Sequence, residues 1–565
     1  MDTNLQKIKS EVFLDLKNRE TKVPIKGKRN ILVTSALPYV NNVPHLGNII
    51  GSVLSADIFA RYSRARNYNI LYICGTDEYG TATETKALEE GISCQELCDK
   101  YNVIHNDVYK WFEIDFDYFG RTTTHHQTEI SQDIFLKLHK NDYLTKDTVI
   151  QLFCEGCKRF LADRFVEGTC PNPKCKYEDA RGDQCDSCGQ LLNAIDLVNP
   201  RCKTDGSRPI TKESTHMFLD LAALQKDIES WVEKTSIEGN WTLNGKTITK
   251  SWLKEGLRQR CITRDLKWGT PVPLEEMKDK VFYVWFDAPI GYLSITANYT
   301  EEWEKWWKNP EEVKLYQFMG KDNVPFHTVI FPGSLLGTKD KWTLLHHINT
   351  TDTGIPVSVW RYYLIMIRPE TSDSMFTWKE FISKNNTELL ANLGNFVNRV
   401  IKFSNSKYTG VIPSYTVDSE AEQEFIKNIN LSLTSYVESL EAVKLRAGLE
   451  IAMDISRQGN GFLQDSKFDN TLFKEHPNKC ASVIGLAVNL IYLLSALFYP
   501  YMPSTSESIL RQLNAPTRII PDTWTGTDIQ PGHKLGKAEY LFKKIDEIKE
   551  QEFHLKYGGG SNNKS

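Results

Sequence analysis

Residues 31–48 read ILVTSALPYVNNVPHLGN, and this stretch decides how the fold begins. Its apolar start predicts a buried strand, and the prolines and asparagines that follow predict a turn before a helix that continues to about residue 60. A strand, a turn and a helix in this order direct backbone N–H groups and the positive helix end toward an anion. His45 and Asn48 share a helical turn and can both donate to phosphate oxygens, while Gly47 has no Cβ to hold a ring or phosphate away from the backbone. Taken alone, the four residues His45–Asn48 would be better explained by a histidine that caps a helix than by a binding site.

The chain of 565 residues exceeds what one hydrophobic core supports and predicts three or four domains. Its hydrophobic content of 41% and charged content of 25% are ordinary for a soluble globular protein. A net charge of −4 gives no sign of a polyanion partner, so nucleic-acid binding would require lysines and arginines concentrated on one face. Residues 1–28 are charged and lack the apolar segment of a secretion signal.

One apolar run, residues 481–499, raises the question of a membrane span. It is short, contains Asn489 and ends at Pro500, so we predict a buried bundle helix and no membrane partner. Most of the 12 cysteines cluster between Cys154 and Cys202. In a chain without a secretion signal, that clustering indicates metal binding rather than disulfides and a reducing compartment, the cytoplasm.

Four of the cysteines have the spacing of a structural zinc site. They are Cys170, Cys175, Cys185 and Cys188. Four thiolates from two turns satisfy the tetrahedral geometry of structural Zn²⁺ and leave no open position for chemistry. The polar sequence between them has no core of its own, which argues against four buried free thiols.

A second cysteine pair, Cys154 and Cys157, would need two more ligands to form another zinc site. Only Cys202 remains nearby, with Asp205 three residues later. Three cysteines and an aspartate are an unusual structural set, so the sequence leaves a second zinc open.

The order of the predicted elements gives the fold class. Apolar strands alternate with helical stretches from residue 29 to about 147, and strands at 281–286, 316–320 and 329–331 resume after the cysteine-rich segment. From residue 378 onward the pattern is helical. We predict an α/β fold, a Rossmann-type doubly wound parallel sheet split by a zinc-binding insertion and followed by an α-helical bundle.

Several motifs in combination resemble one enzyme family. ALPY at 36–39 precedes the turn, CGTDE at 74–78 follows it, and VWFDAPIGY at 284–292 ends a predicted strand in an aromatic, proline-containing wall. Together they resemble the class I aminoacyl-tRNA synthetases, specifically the methionyl-tRNA synthetases of eukaryotic cytosolic and archaeal type. The resemblance covers about residues 29–504. It implies a ligase that activates L-methionine with ATP and transfers it to initiator and elongator tRNA-Met.

The resemblance also assigns the parts of the chain. They are an N-terminal arm (1–28), two halves of the catalytic domain (29–147 and 257–350) around a connective insertion with zinc knuckles (148–256), a stem-contact segment (351–380), a helical anticodon-binding domain (381–535), and a C-terminal helix with a disordered tail (536–565). It further implies a multi-synthetase assembly as a partner, reached through a domain that this sequence does not contain.

The resemblance implies the site residues as well. His45, Gly47 and Asn48 are expected to bind ATP and to catalyse, and Asp77 to pair with the α-ammonium group of methionine. His327 or a tyrosine hydroxyl is expected to donate to the sulfur. The other expected methionine contacts are Ala36, Leu37, Tyr39, Trp285, Ala288, Pro289 and Tyr292, and the remaining ATP contacts are Lys321, Asp322 and Asn323.

The expected chemistry is a direct in-line attack. No set of residues that would form a covalent enzyme intermediate is visible in the sequence. The methionine carboxylate then attacks the α-phosphate of ATP, and Mg²⁺ leaves with pyrophosphate. Positioning and charge stabilisation carry the catalysis.

A candidate anticodon site lies in the helical region. Asn395 and Arg399 are one turn apart on one helix edge and can reach splayed-out bases. The family uses an asparagine and an arginine in this region for the CAU anticodon. Where it often has a stacking tryptophan, this chain has Phe468.

One family element is missing from the sequence. A flexible, lysine-rich loop of the KMSKS type is expected between residues 349 and 352, where the chain has only Thr350 and Thr351. The segment KFSNS at 402–406 looks similar but lies inside a predicted helix, which cannot swing over a pyrophosphate site. Two alternatives stay open: a class I enzyme for cysteine or leucine, and a non-catalytic, zinc-containing tRNA-binding protein.

Overall fold

The computed structural model describes residues 4–14, 21–44, 49–161, 165–182, 185, 187–188, 192–350, 357–368, 377–547 and 550–551. The strands in this part of the chain are β1 (Asn30–Ser35), β2 (Asn69–Thr76), β3 (Tyr118–Arg121), β4 (Leu144–Cys154), β5 (Arg159–Phe160), β6 (Val166–Thr169), β7 (Ala180–Arg181), β8 (Val198–Cys202), β9 (Ile210–Leu219), β10 (Arg260–Cys261), β11 (Thr263–Arg264), β12 (Val281–Phe282), β13 (Val313–Met319) and β14 (Leu345–Thr350).

The α-helices are α1 (Ser55–Ala65), α2 (Thr81–Glu90), α3 (Cys94–Trp111), α4 (His125–Lys140), α5 (Leu221–Glu238), α6 (Leu243–Glu255), α7 (Val284–Asp287), α8 (Gly291–Tyr299), α9 (Glu304–Trp307), α10 (Phe331–Gly337), α11 (Val357–Met366), α12 (Trp378–Lys384), α13 (Asn395–Lys407), α14 (Glu420–Glu441), α15 (Leu445–Asp465), α16 (Asn470–Glu475), α17 (Pro477–Phe498) and α18 (Pro503–Leu513). Wider π-helical turns at Ile49–Leu54, Phe326–Ile330 and Asn385–Gly394 lead into α1, α10 and α13.

The central sheet has five parallel strands in the order β14-β13-β1-β2-β3. The chain builds outward from β1 to β3 and later returns to the other side of β1. The strand order therefore reverses between β1 and β13, and in such sheets ligands bind at that point, beyond the carboxyl ends of the strands. Close approach of β2 and β3 requires a glycine, because a Cβ on Gly75 would lie 2.6 Å from the backbone of Gly120.

The insertion leaves the sheet on a long antiparallel ribbon. β4 pairs with β9 over ten residue pairs, from Leu144↔Leu219 to Phe153↔Ile210. The cysteine-bearing lobe lies at the far end of this ribbon. Its small core contains few apolar side chains other than cysteines, chiefly Leu152, Leu161, Phe165, Val166, Ala180 and Leu197.

The helical domain packs around α17, as the apolar sequence predicted. This helix is long and apolar enough to cross a membrane by length and composition, yet its apolar window is wholly buried inside the protein. Asn489 is satisfied there: its amide donates to the carbonyls of Gly485 and Ile529, and its oxygen accepts from the Ile529 N–H at 2.7 Å. This helix therefore forms the core of the helical bundle.

A buried arginine joins the sheet domain to the helical domain. Arg361 on α11 donates to the Asp57 carboxylate on α1 at 2.7 Å. It also donates to the carbonyls of Phe112, Pro500 and Tyr501 at 2.6–3.0 Å. One fully buried guanidinium thus binds both domains.

The structure corrects several predicted elements. The strand expected at 281–286 ends at Phe282, and Trp285 lies on α7. The strand expected at 329–331 is helical, and β14 supplies the outer strand instead. Residues 536–547 form no helix, although the sequence predicted a C-terminal helix and a disordered tail over 536–565. The rest of that range, apart from residues 550–551, lies outside the described residues.

Candidate active site and metal centres

A pocket of about 60 Å³ opens at the carboxyl edge of the sheet, where the strand order reverses. The chain segments after β1, β2 and β13 and the turn from α7 to α8 meet there. Every residue that the sequence predicted for methionine lines it, together with the predicted ATP residue Asn323. Val284 and Phe326 line it as well and were not predicted as contacts. The predicted methionine contacts among the lining residues are Ala36, Leu37, Tyr39, Asp77, Trp285, Ala288, Pro289, Tyr292 and His327.

Backbone pairing just beyond the ends of β1 and β2 holds Asp77 at the pocket. Its N–H donates to the Pro38 carbonyl at 2.9 Å, and the residue bridges to Tyr39 in parallel. The carboxyl is buried, and its Oδ1 has no hydrogen-bond partner among the described residues. Burial, then the nearby charges of Asp287 and Glu78, raise the pKa of Asp77 well above its usual value. A nearby positive charge would favour the ionised form of this carboxyl.

His327 and Tyr292 form a neutral hydrogen-bonded pair in the pocket wall. His327 Nδ1 lies 2.8 Å from the Asn323 carbonyl, which can only accept, so the imidazole proton is on Nδ1. Nε2 then accepts from the Tyr292 hydroxyl at 2.9 Å. Burial lowers the pKa of His327 to about 4, which keeps the ring uncharged at neutral pH. Both protons expected for a sulfur contact are therefore already used in this structure.

An aromatic layer covers the outer side of the pocket. The Trp285 ring lies between Tyr283 and Phe326, with centroid distances of 5.1 Å and 4.9 Å. Trp285 is 38% exposed and Tyr39 is 41% exposed, so both lie at the solvent side of the pocket. The sequence signal for Phe326 was present, since it adjoins His327 on the same turn.

The predicted ATP residues divide into two groups. Lys321 and Asp322 lie exposed on a 3₁₀ turn directly after β13, beside the pocket residue Asn323. His45, Gly47 and Asn48 lie outside the described residues, between Pro44 after β1 and the π-helical turn at Ile49.

The four predicted zinc ligands come together in the lobe. The Sγ atoms of Cys170, Cys175, Cys185 and Cys188 all lie within 4.8 Å of one another. The Cys170–Cys188 and Cys175–Cys185 distances are 3.9 Å and 3.7 Å. Zn–S bonds of about 2.3 Å in a tetrahedron place sulfurs about 3.8 Å apart, so the cluster fits zinc.

A second cluster brings together the residues that the sequence left open. The ligand atoms of Cys154, Cys157, Cys202 and Asp205 also lie within 4.8 Å of one another. Cys157 Sγ is 3.8 Å from Cys202 Sγ, and Asp205 Oδ2 is 3.2 Å from Cys154 Sγ. Ser207 orients the carboxylate by donating its N–H and its hydroxyl to Oδ1. This donor set also fits a tetrahedral metal ion.

The candidate anticodon residues are exposed on α13. Asn395 and Arg399 lie one turn apart, and Arg399 donates to the Phe468 carbonyl at 2.6 Å. The Phe468 ring is 2% exposed and packs on Phe403 at a centroid distance of 4.3 Å. In this structure Phe468 therefore has no free face for a base, in contrast to the stacking role expected from the sequence.

Comparison with known proteins agrees with this arrangement. Residues 31–353 and 347–401 match the family "tRNA synthetases class I (M)", and residues 412–562 match "Anticodon binding domain of methionyl tRNA ligase". The chain is 62% identical to the probable cytoplasmic methionine–tRNA ligase of Schizosaccharomyces pombe, over 96% of this chain and 72% of the relative. It is 58% identical to the cytoplasmic methionine–tRNA ligase of Saccharomyces cerevisiae, over 98% of this chain and 77% of the relative.

The fold also matches a solved structure. The Mycobacterium tuberculosis methionyl-tRNA synthetase in complex with methionyl-adenylate superposes with a TM-score of 0.72, over 91% of this chain and 99% of that chain. At 19% identity this likeness concerns the fold alone. The family matches and the two yeast relatives decide the assignment: the chain belongs to the methionine–tRNA ligases, the methionine-specific class I aminoacyl-tRNA synthetases.

Proposed function

We propose that this ligase uses the pocket at the β1–β13 edge to bind methionine and joins it to AMP in the adjoining groove. The observation that carries the proposal is the convergence of all the predicted methionine contacts on one pocket. Asp77 takes the α-ammonium group, and the aromatic and aliphatic wall takes the thioether. Sulfur is attracted weakly to aromatic rings, which suits a wall made by Tyr292, Trp285 and Phe326.

The hydrogen-bonded pair at the wall gives a reason for specificity. An apolar pocket alone separates side chains of similar size by only about 1–3 kcal/mol. The Tyr292 hydroxyl donates its proton to His327 Nε2, and the His327 Nδ1–H donates to the Asn323 carbonyl, so neither group has a free proton for a ligand. A polar ligand side chain that needs both a donor and an acceptor finds only part of its hydrogen bonds here.

The adenylation step needs few groups from the protein. MgATP is the co-substrate, with its ribose near Asp322 and its phosphates near Lys321, His45 and Asn48. The methionine carboxylate oxygen forms a bond to the α-phosphorus while the bond to the β-phosphate oxygen breaks, and pyrophosphate leaves. His45, Asn48 and backbone N–H groups at the helix start donate to the phosphate oxygens as charge develops.

Two structural zinc ions complete the proposal for the lobe. Cys170, Cys175, Cys185 and Cys188 hold one, and the Cys154 cluster with Asp205 holds the other. Zinc supplies folding free energy and cross-links to a lobe with a small core, and neither site has an open position for chemistry.

The acceptor is tRNA-Met, initiator and elongator, with Asn395 and Arg399 contacting the anticodon. Both side chains are exposed on α13, far along the chain from the pocket. We place the enzyme in the cytoplasm, where the named relatives are found.

The direct test is amino-acid-dependent exchange of pyrophosphate into ATP, followed by charging of tRNA-Met. We expect exchange with methionine and none with leucine or cysteine. Exchange with either of those amino acids would contradict the assigned pocket. Binding of tRNA without exchange for any amino acid would contradict the catalytic proposal and favour a binding protein.

A further inference from the structure

Two buried carboxyl groups lie in or next to the wall of the methionine pocket: Asp77 lines it, and Asp287 directly precedes the lining residue Ala288. Only Asp77 has a role in the proposed function. Asp77 lines the pocket and is 3% exposed, and Asp287 on α7 is 1% exposed. Each has an oxygen, Oδ1 in both cases, without a hydrogen-bond partner among the described residues. The other oxygen of Asp287 accepts from the Thr270 hydroxyl at 2.9 Å.

The groups around the pair offer it no cation within the described part of the chain. Glu78 lies beside Asp77 and already binds the guanidinium of Arg121 at 2.8 Å. The phenols of Tyr79 and Tyr292 face Asp287 and Asp77, respectively, and both are neutral donors or acceptors at pH 7. His327 is hydrogen-bonded to Tyr292 and uncharged.

Two buried carboxylates that repel each other, with no cation beside them in the described part of the chain, are unstable when both are charged. Desolvation and like-charge repulsion both favour the protonated form, and such pairs titrate together. Burial raises the pKa of Asp287 to about 8, and Asp287 in turn helps to raise the pKa of Asp77. The free pocket therefore holds a proton at neutral pH where an ammonium group would need a carboxylate.

We propose that Asp77 and Asp287 form a proton-linked pair that releases one proton to solvent when the ammonium group of methionine binds Asp77. The inference rests on the proposed role of Asp77. In this step the O–H bond of the carboxyl breaks, its proton goes to water, and an ammonium N–H···O⁻ hydrogen bond takes its place. Asp287 is a positioning residue, because it sets the charge of Asp77 without touching the ligand.

Calorimetry of L-methionine binding to the full chain tests the proposal. The heat is measured in phosphate and in Tris, whose ionisation enthalpies differ, so the difference between buffers counts the protons released. We expect close to one proton at pH 7 and a dissociation constant that falls by about tenfold per pH unit between pH 6 and 7. The raised pKa values give the sign: release occurs below them and ends as the pH rises past them. Equal heats in both buffers with a flat dissociation constant would overturn the proposal, whereas absence of methionine binding would instead contradict the proposed function.

Two variants move the end point of proton release in opposite directions. Asp287→Asn removes the like charge, so the pH at which release falls to half should move down by about one unit. Thr270→Val removes the hydrogen bond that stabilises ionised Asp287, so that pH should move up. The matched control is Asp279→Asn, which changes an exposed carboxylate that does not line the pocket and should leave the pH of half-release unchanged. Movement of both pocket variants in the same direction, or of neither, would contradict the pairing.

Discussion

At the residue scale, burial decides which polar groups in the pocket are charged. His327 is neutral because burial lowers its pKa to about 4, whereas its unfolded-state value is close to 6.5. Between pH 4 and pH 6.5, His327 is protonated in the unfolded chain but not in the folded chain. His327 therefore destabilises the fold progressively as the pH falls from 6.5 toward 4.

This argument predicts how His327→Gln changes the pH dependence of stability. The free energy of unfolding of the original protein should fall, relative to the variant, by about 1.4 kcal/mol per pH unit in that range. Urea unfolding of both proteins at pH 7, 6 and 5 measures the difference. A constant difference across the three pH values would show that His327 is charged or exposed in solution.

A second residue-scale prediction concerns Arg399. Arg399→Ala should weaken charging of tRNA-Met and leave methionine-dependent pyrophosphate exchange unchanged, because the side chain is exposed on α13. Arg446→Ala, which changes a partly exposed arginine on α15, is the matched control and should change neither. Loss of exchange without tRNA in the Arg399 variant would assign this residue to the support of the sheet domain.

The pocket residues were predictable through the family resemblance, because the motifs that carry the resemblance are short continuous segments. Residues 36–39 and 77 each follow a buried strand, and parallel strands bring their carboxyl ends to one edge. The proton-linked role of Asp287 was not predictable, since it depends on which neighbours lack a cation. The same holds for Phe468, where only packing shows that the ring is buried.

At the element scale, the misread strand at 281–286 has a clear cause. The sequence VFYVWF is continuously apolar, and such short runs fit a buried strand and a buried helical turn equally well. The structure ends the strand at Phe282 and starts a turn of helix at Val284, which points the chain into the pocket rather than across the sheet. Tertiary packing therefore determines the conformation of this segment, which sequence periodicity alone does not distinguish.

The lobe gives an element-scale prediction about zinc. Asp205→Ala should lower the zinc content of the purified protein from two equivalents toward one, because it removes a ligand from the second cluster. Asp205→Cys should restore it, since thiolate is the commoner structural ligand. One equivalent in the original protein would contradict a second site, and none would contradict both.

Loss of zinc from the second cluster should also affect the methionine pocket, because a short series of contacts connects the two. Arg159, just after Cys157, binds Glu84 at 2.7 Å, and Glu84 accepts from the Trp268 N–H. The Trp268 indole donates to the Glu78 carbonyl at 2.6 Å, one residue from Asp77. Asp205→Ala is therefore expected to raise the KM for methionine as well, measured by pyrophosphate exchange.

At the scale of the whole molecule, Arg361 should decide whether the two domains unfold together. Replacing it with leucine leaves Asp57 buried without one of its two arginine partners and three carbonyls without their donor. Breaking a buried ion pair on one side costs about 3–5 kcal/mol. We expect a single unfolding transition for the original protein. In Arg361→Leu the midpoint temperature should fall and the transition should separate into two, as measured by differential scanning calorimetry. Arg446→Leu removes a partly exposed partner of Glu450 and should leave a single transition in place.

At the scale of the whole molecule, one part of the family's catalytic apparatus, the lysine-rich loop, is missing from this sequence. The family match breaks into two segments that overlap at 347–353, where the sequence has only Thr350 and Thr351 in place of that loop. The methionine wall is complete without it, so methionine should bind the chain of this sequence. Adenylate formation should be slow, because removing one transition-state donor costs about 10²–10³-fold in rate.

The test is to insert a lysine-rich loop of the KMSKS type between Thr351 and Asp352. Pyrophosphate exchange should rise by about two to three orders of magnitude, with little change in methionine affinity, since the loop acts on the departing pyrophosphate. A glycine–serine loop of the same length controls for the added length and should give no rise. Equal exchange rates in all three proteins would show that groups elsewhere already stabilise the pyrophosphate, and KFSNS at 402–406 would then need to be tested by Lys402→Ala.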